Sequence, residues 1–339
     1  MQTFGNAALK AVSIYLPEKV LDNAELVRQF GTWTESKIFG KTGIAKRHVV
    51  EGELVSDLAA GAGEKLFAEH GIDRDVVDFV LLCTECPDHF LPATACIVQD
   101  RLGLRKGIGA LDYNLGCSGF IYGLVLAKGL IAGGVARNVL LLTADMISRT
   151  VHPQDKSTRT LFGDAGAATL VTCSEEPGIG QFSLGTDGSG ASRLIIPAGA
   201  WARPSSPETK AETTNRWGNT RTVENLYMDG PEILKFSLEV APPCMEEALR
   251  LNGTSMDEID WFVFHQASFM LLQKLREVLS IPEEKFVIDI EDYGNTASST
   301  IPVALYDLER GGRLKKGDKI LVMGFGVGLS WGGTVLQWT

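Results

Sequence analysis

The sequence predicts an α/β layered fold made of two related halves, and two observations carry that prediction. First, short apolar runs alternate with helix-period segments. Residues 78–83, 139–143, 167–172, 261–264 and 319–323 are nearly continuous apolar stretches, the signature of strands buried on both faces. Between them lie helical patterns over 58–70, 119–131 and 230–251, and such alternation argues for a layered α/β architecture. Second, the chain echoes itself. The twelve residues from Gly71 align without gaps on the twelve from Gly253, 182 positions later, each passing through a turn into an apolar strand. A looser echo pairs the segment from Gly134 with that from Gly312. Two echoes in the same order, at separations of about 180 positions, predict halves of similar build. The boundary falls where Glu, Pro and Gly cluster near 174–180, giving halves 1–175 and 176–339.

Composition narrows the function. The 339 residues include 42 Asp and Glu against 32 Lys and Arg, a formal charge of −10. That balance disfavours sequence-blind binding to nucleic acid or anionic membranes, which relies on clustered cations. Six cysteines in a chain this long fit a reducing compartment, with any special thiol doing chemistry. The apolar stretch 118–136 nears membrane-span length, but Lys128 and scattered glycines make it a buried helix. The short run 7–16 carries Lys10 and has no export-type cleavage site after it, so a cytoplasmic setting is expected. The polar, proline-bearing stretch 198–221 reads as an extended surface loop or lid.

Three residues stand out chemically. Cys117 lies between Gly116 and a Gly-rich helix, where free N–H groups and the positive end of the helix dipole favour thiolate over thiol. Alternatively it fills space as a buried thiol. His265 ends the strand 261–264, at the strand end where open α/β sheets place ligands; a core histidine bound to a carbonyl is the competing reading. Asn295 follows Gly294 in a turn rich in small residues. The glycines at 324, 326, 328, 332 and 333 offer backbone N–H groups for an oxyanion, or mark a crowded last strand. Cys83 and Cys86, with His89 beyond, mimic a metal motif, but no second ligand pair follows at zinc spacing. The glycines after Phe162 mimic a nucleotide loop yet lead into a strand, so they read as a packing turn.

Taken together, Cys117, His265 and Asn295, each in its own motif, resemble the β-ketoacyl-acyl carrier protein synthase III family of the thiolase superfamily. Thr42-Gly-Ile with Arg47, Pro92-Ala-Thr-Ala, Phe162-Gly-Asp, His265-Gln-Ala, Gly294-Asn-Thr and Gly324-Phe-Gly spread that resemblance over essentially the whole chain. It implies a thiolase-like five-layer αβαβα fold, usually a homodimer, and an acyltransferase of fatty acid or related lipid biosynthesis. Cys117 would take the acyl group of an acyl thioester, typically acyl-CoA. Malonyl-acyl carrier protein would then lose carbon dioxide, with His265 and Asn295 stabilising the enolate. The backbone N–H groups of Cys117 and Val327 would form the oxyanion hole. Arg149, Lys37 and Lys41 fall at CoA- or carrier-binding positions, and Leu91 and His89 lie in the loop that shapes the acyl pocket across the dimer. No metal or redox cofactor is required.

This chain departs from the family pattern at several places. Val327 replaces a glycine, Ser268 an asparagine and Met270 a basic residue; Lys37 stands where a tryptophan often stacks on adenine, and Lys41 replaces an arginine. Glu85 adds an acid near the pocket loop, read as solvated or ion-paired. Two rivals remain: a specialised relative that transfers acyl groups to an amine or alcohol in secondary-metabolite or polysaccharide biosynthesis without decarboxylation, and a non-catalytic acyl-binding partner subunit.

Overall fold

The computed structural model describes residues 5–339. Two sheets are stacked with helices between and outside them. The first sheet orders its strands Gly109–Tyr113, Phe79–Cys83, Asn138–Asp145, Ala165–Ser174 and Asn6–Tyr15. Its first three strands run parallel and the last two pair antiparallel. The second sheet orders Trp261–Phe264, Lys319–Gly326, Ser330–Gln337 and Ile179–Thr186, with one parallel pairing, one fewer than in the first sheet, followed by two antiparallel ones. The Gly71 and Gly253 echoes lead into Phe79–Cys83 and Trp261–Phe264, and the Gly134 and Gly312 echoes into Asn138–Asp145 and Lys319–Gly326. Equivalent sequence therefore builds equivalent strands.

The helices supply the other three layers of an αβαβα stack. Gly119–Ala132 and Thr300–Arg310 touch strands of both sheets and form the middle layer. Val55–His70 covers the outer face of the first sheet, and Gly230–Leu251 that of the second. A helix enclosed on both sides has no polar face to present, which is why 119–132 is apolar nearly all round. Its one charge, Lys128, donates to the carbonyls of Ile179 and Gly180 at 2.9 Å each, so the ammonium is satisfied at the sheet edge. Among the described residues no helix is long and apolar enough to cross a membrane. The strands extend beyond the apolar runs that announced them: 139–143 lengthens to Asn138–Asp145 and 319–323 to Lys319–Gly326, because ladder pairing continues past the last apolar residue.

The loop 198–221 carries a two-stranded ribbon, Thr213–Thr214 with Thr220–Arg221. It is tied to the body by Lys156 Nζ on the Gly218 carbonyl at 2.9 Å and by Arg221 on Asp155 at 3.0 Å.

Arg47 is fully buried and stitches three segments together. Its guanidinium donates to the carbonyls of Leu21 (3.1 Å) and Thr160 (2.9 Å) and to Asn23 Oδ1 (2.9 Å). Burial lowers its pKa to about 10, with Arg159 adding to the effect, so it is still charged at neutral pH. Truncation would strand three buried acceptors. Arg47→Ala is expected to cost about 3 kcal/mol or more, seen as a lower urea midpoint; a loss below about 1 kcal/mol would mean that other donors replace the guanidinium.

Candidate functional site

Cys117 sits just before the middle-layer helix Gly119–Ala132, and its side chain is buried. The last part of the strand Lys319–Gly326 presses against it. A Cβ at Gly324 would lie 2.5 Å from the Cys117 carbonyl oxygen, and one at Gly326 2.8 Å from Sγ. Glycine at both positions is thus what lets that strand approach. Just beyond it, the backbone N–H of Val327, like that of Cys117 itself, favours negative charge on the sulfur. The Val327 carbonyl accepts from Ser330 Oγ (2.7 Å), which in turn bonds Ser118 Oγ at 2.7 Å. This serine pair holds the peptide that follows Val327, between 327 and 328. Two N–H groups that favour charge at one place form an anion cradle.

The expectation of an ionised resting sulfur does not hold. Burial pushes the Cys117 thiol well above the ordinary range, and the Glu85 carboxyl pushes in the same direction. The two N–H groups pull down but are outweighed. The helix-end field that argued for thiolate acts on a sulfur that has lost its water, and desolvation of a charge is the larger effect.

His265 follows the strand Trp261–Phe264, its N–H donating to the Met323 carbonyl at 2.8 Å, one residue before Gly324. Its Nδ1 is 2.7 Å from Thr300 Oγ1 at the start of the other middle-layer helix. Burial lowers the imidazole pKa to about 3, so the ring is neutral at physiological pH. Next to it, Gln266 bonds the carbonyls of Phe264 and Val287 and accepts from the Asp289 N–H, locking the strand end. Ser268 caps the following helix through the Leu271 N–H at 3.3 Å, which accounts for a serine there.

Asn295 is held by backbone pairing to the segment Leu161–Gly163: its N–H donates to Leu161 and its carbonyl accepts from Gly163. The Phe162-Gly-Asp motif is therefore a brace for the asparagine loop. Asn295 Oδ1 accepts from the Ala297 N–H at 3.0 Å, which leaves the amide N–H groups for other work. The same loop reaches the Cys117 helix, where Ser298 Cβ would lie 3.5 Å from a Cβ at Gly119. Asp145 fastens it by accepting from the Ser298 N–H and hydroxyl. Cys117, Val327 and the segments bearing His265 and Asn295 thus meet where the middle layer faces the ends of both sheets.

The remaining positions lie further out. Lys37 and Lys41 place their ammonium groups 4.7 and 5.6 Å from the Trp33 ring, a neighbour that the sequence reading did not single out. Arg149 lines two open cavities of about 450 Å³ each, one shared with Lys19, Arg28 and Arg159, the other with Glu85, His89 and Phe90. Leu91 is 87% exposed and Phe90 76%. Cys83 and Cys86 are buried space-fillers, the former donating to the Leu115 carbonyl at 2.9 Å. Glu85 is half-buried, lines the open cavity it shares with Arg149, and makes no ion pair among the described residues; a Cβ at Gly116 would lie 2.2 Å from its Oε2. Thr300, Asp145 and Ser330 also belong to the site; hydroxyls and an aspartate at strand and helix ends leave no distinctive mark in a sequence.

Two family models match the chain: 3-oxoacyl-[acyl-carrier-protein (ACP)] synthase III over residues 111–188, and its C-terminal counterpart over 249–338. A relative named beta-ketoacyl-[acyl-carrier-protein] synthase III 3, from Streptomyces coelicolor, is 37% identical, covering 98% of this chain and 97% of its own. Beta-ketoacyl-[acyl-carrier-protein] synthase III from Campylobacter curvus is 36% identical over 98% of this chain and 96% of its own. A crystal structure described as 3-oxoacyl-(acyl-carrier-protein) synthase III superposes with a TM-score of 0.96 at 47% identity, covering 98% of this chain and 100% of that one.

Two tests address the geometry. Gly326→Ala forces the sulfur aside, so acyl loading of Cys117 should fall at least about 100-fold by intact mass, at a cost of about 1–3 kcal/mol in thermal stability. Loading at the normal rate would show that the strand can yield. At neutral pH, iodoacetamide should modify exposed Cys96 well before Cys117, as read by peptide mapping; the reverse order would restore an activated resting thiolate.

Proposed function

The chain belongs to the 3-oxoacyl-[acyl-carrier-protein] synthase III family of condensing acyltransferases, and we propose that it loads an acyl group onto Cys117 and condenses it with malonyl-acyl carrier protein. The observation that carries this reading is the close approach of the strand Lys319–Gly326 to Cys117, which glycine at 324 and 326 permits, with the Cys117 and Val327 N–H groups favouring negative charge there. The sulfur attacks the donor carbonyl, whose oxygen becomes an anion between those N–H groups. Collapse expels the donor thiol and leaves an acyl-enzyme. In the second step the malonyl carboxylate leaves as carbon dioxide, and its bonding pair becomes an enolate on the thioester. Burial keeps His265 neutral, and this reading requires the tautomer with the proton on Nε2, in which the Thr300 hydroxyl 2.7 Å away donates to Nδ1. That N–H and the Asn295 amide are the two donors for the enolate oxygen. The enolate carbon then attacks the acyl group, the C–S bond breaks, and a β-ketoacyl carrier thioester departs.

Lys37, Lys41 and Arg149 are the cations for donor or carrier phosphates, with Trp33 the nearby aromatic surface. We divide the chain at 175/176, the first half supplying Cys117 and the second His265 and Asn295. Exposed Phe90, Leu91 and Trp201, together with the edge strand Gly109–Tyr113 and its exposed Leu111, support a homodimer in which Leu91 and His89 serve the partner's acyl pocket. The acidic surface and reduced cysteines fit the cytoplasm.

The reading is tested by intact-mass analysis with acyl-CoAs, then by carbon dioxide release on adding malonyl-acyl carrier protein. Cys117→Ala should abolish the mass gain. His265→Ala and Asn295→Ala should still load but lose about 10²–10³ in condensation rate. Loading followed by acyl transfer without carbon dioxide would replace condensation with simple transfer, and no loading at all would leave a binding subunit.

A further inference from the structure

Glu85 lies just beyond the strand Phe79–Cys83, its carboxyl packed against Gly116, the residue preceding the nucleophile. Its backbone N–H donates to Asp145 Oδ1 at 2.8 Å, which anchors the chain at this point. The carboxyl borders the cavity that also holds Met146 and Arg149. A glycine at 116 is what makes room for it. The site thus has an acid packed against the residue that precedes the sulfur, and the two-step scheme above assigns it nothing.

The surrounding groups decide its charge. Asp145 accepts from the Glu85 N–H, Thr84 Oγ1 (3.4 Å), and the Ser298 N–H and hydroxyl, all of which favour its charge, but complete burial outweighs them and raises its pKa to about 7. Nothing comparable favours charge on Glu85: burial and the Asp145 charge push its pKa up to about 8. The thiols of Cys83 and Cys86 and the Tyr113 hydroxyl are also raised by burial and stay protonated. Asp88, His89 and Arg149 face it from the cavity side. Burial thus brings both Glu85 and Asp145 to titrate near neutrality, where a general base works best. The Asp145 oxygens, however, are taken up by backbone and hydroxyl donors, whereas the Glu85 carboxyl lies against Gly116 and borders the cavity. His265 is a poor base by comparison, since burial pushes its pKa down to about 3.

We propose that Glu85 accepts the Cys117 proton as the acyl donor arrives and returns it to the departing thiol. The proposal rests on Cys117 being the nucleophile. The S–H bond breaks as sulfur bonds the acyl carbon, and the proton moves to the Glu85 carboxylate. The donor C–S bond then breaks, and the leaving thiolate takes that proton. Glu85 ends as it began, and no net proton or electron is consumed. Such a base answers the difficulty that a buried thiol creates: the charge need never be free, because ionisation and attack coincide.

The test is single-turnover loading of the full-length protein by acetyl-, octanoyl- and dodecanoyl-CoA, followed by intact mass across pH. Wild-type loading should rise with pH through a midpoint near 8, as the carboxylate forms. Glu85→Gln should load about 10²–10⁴-fold more slowly and lose that limb while keeping its melting temperature. Glu85→Asp should restore the limb at a reduced rate. If Glu85→Gln loads as fast as wild type, or faster, the carboxyl merely opposes thiol ionisation and the proposal is overturned while Cys117 remains the nucleophile. Wild-type loading at a residue other than Cys117 would overturn the nucleophile assignment, and this proposal with it.

Discussion

The strand Lys319–Gly326 runs hard against the residue that opens the central helix, and much else follows from that contact. Two absent side chains, at 324 and 326, let a backbone lie where a Cβ would strike the Cys117 carbonyl or sulfur. Because the strand comes so close, the Val327 N–H just after it favours charge on the sulfur, and Ser330 with Ser118 holds the next peptide along. Because the strand is also paired with Trp261–Phe264, His265 is delivered to the same end of the sheet. The site is less an arrangement of side chains than a backbone crossing to which side chains have been added.

That closeness has an electrostatic consequence. Excluding water strengthens each dipole aimed at a developing charge, but it also makes a resting charge costly. Every group here obeys the second effect. The thiol is protonated, the imidazole is neutral, and the carboxyls of Glu85 and Asp145 are both shifted upward. A site in this condition stores little charge and stabilises charge only as it appears, which suits the proposed reaction, with an oxyanion in each of its two steps.

The layered fold was legible because its cause is local. Strands buried on both faces must be apolar throughout, so 261–264 could be read to the residue. Gly119–Ala132 was legible for the same reason, including the oddity of Lys128, whose carbonyl partners lie on a strand beginning some fifty positions later. Cys117, His265 and Asn295 could be picked out because each sits in an unusual local setting of glycines, strand ends or turns. Glu85 and Trp33 were misjudged or missed because nothing in their own neighbourhoods marks them. Glu85 is special through Gly116, thirty-one positions away, and Trp33 through the lysines that later turns of a helix bring over its ring.

Periodicity and residue type, then, dictate which segments become strands and helices, that two echoing stretches build matching sheets, and which sulfur, ring and amide are candidates for chemistry. They do not dictate ionisation. Helix-end position argued for a thiolate at Cys117, and that argument was sound for a helix in water. Stacking five layers removed the water, and solvation is a property of what surrounds a group in space, which no stretch of neighbouring residues encodes.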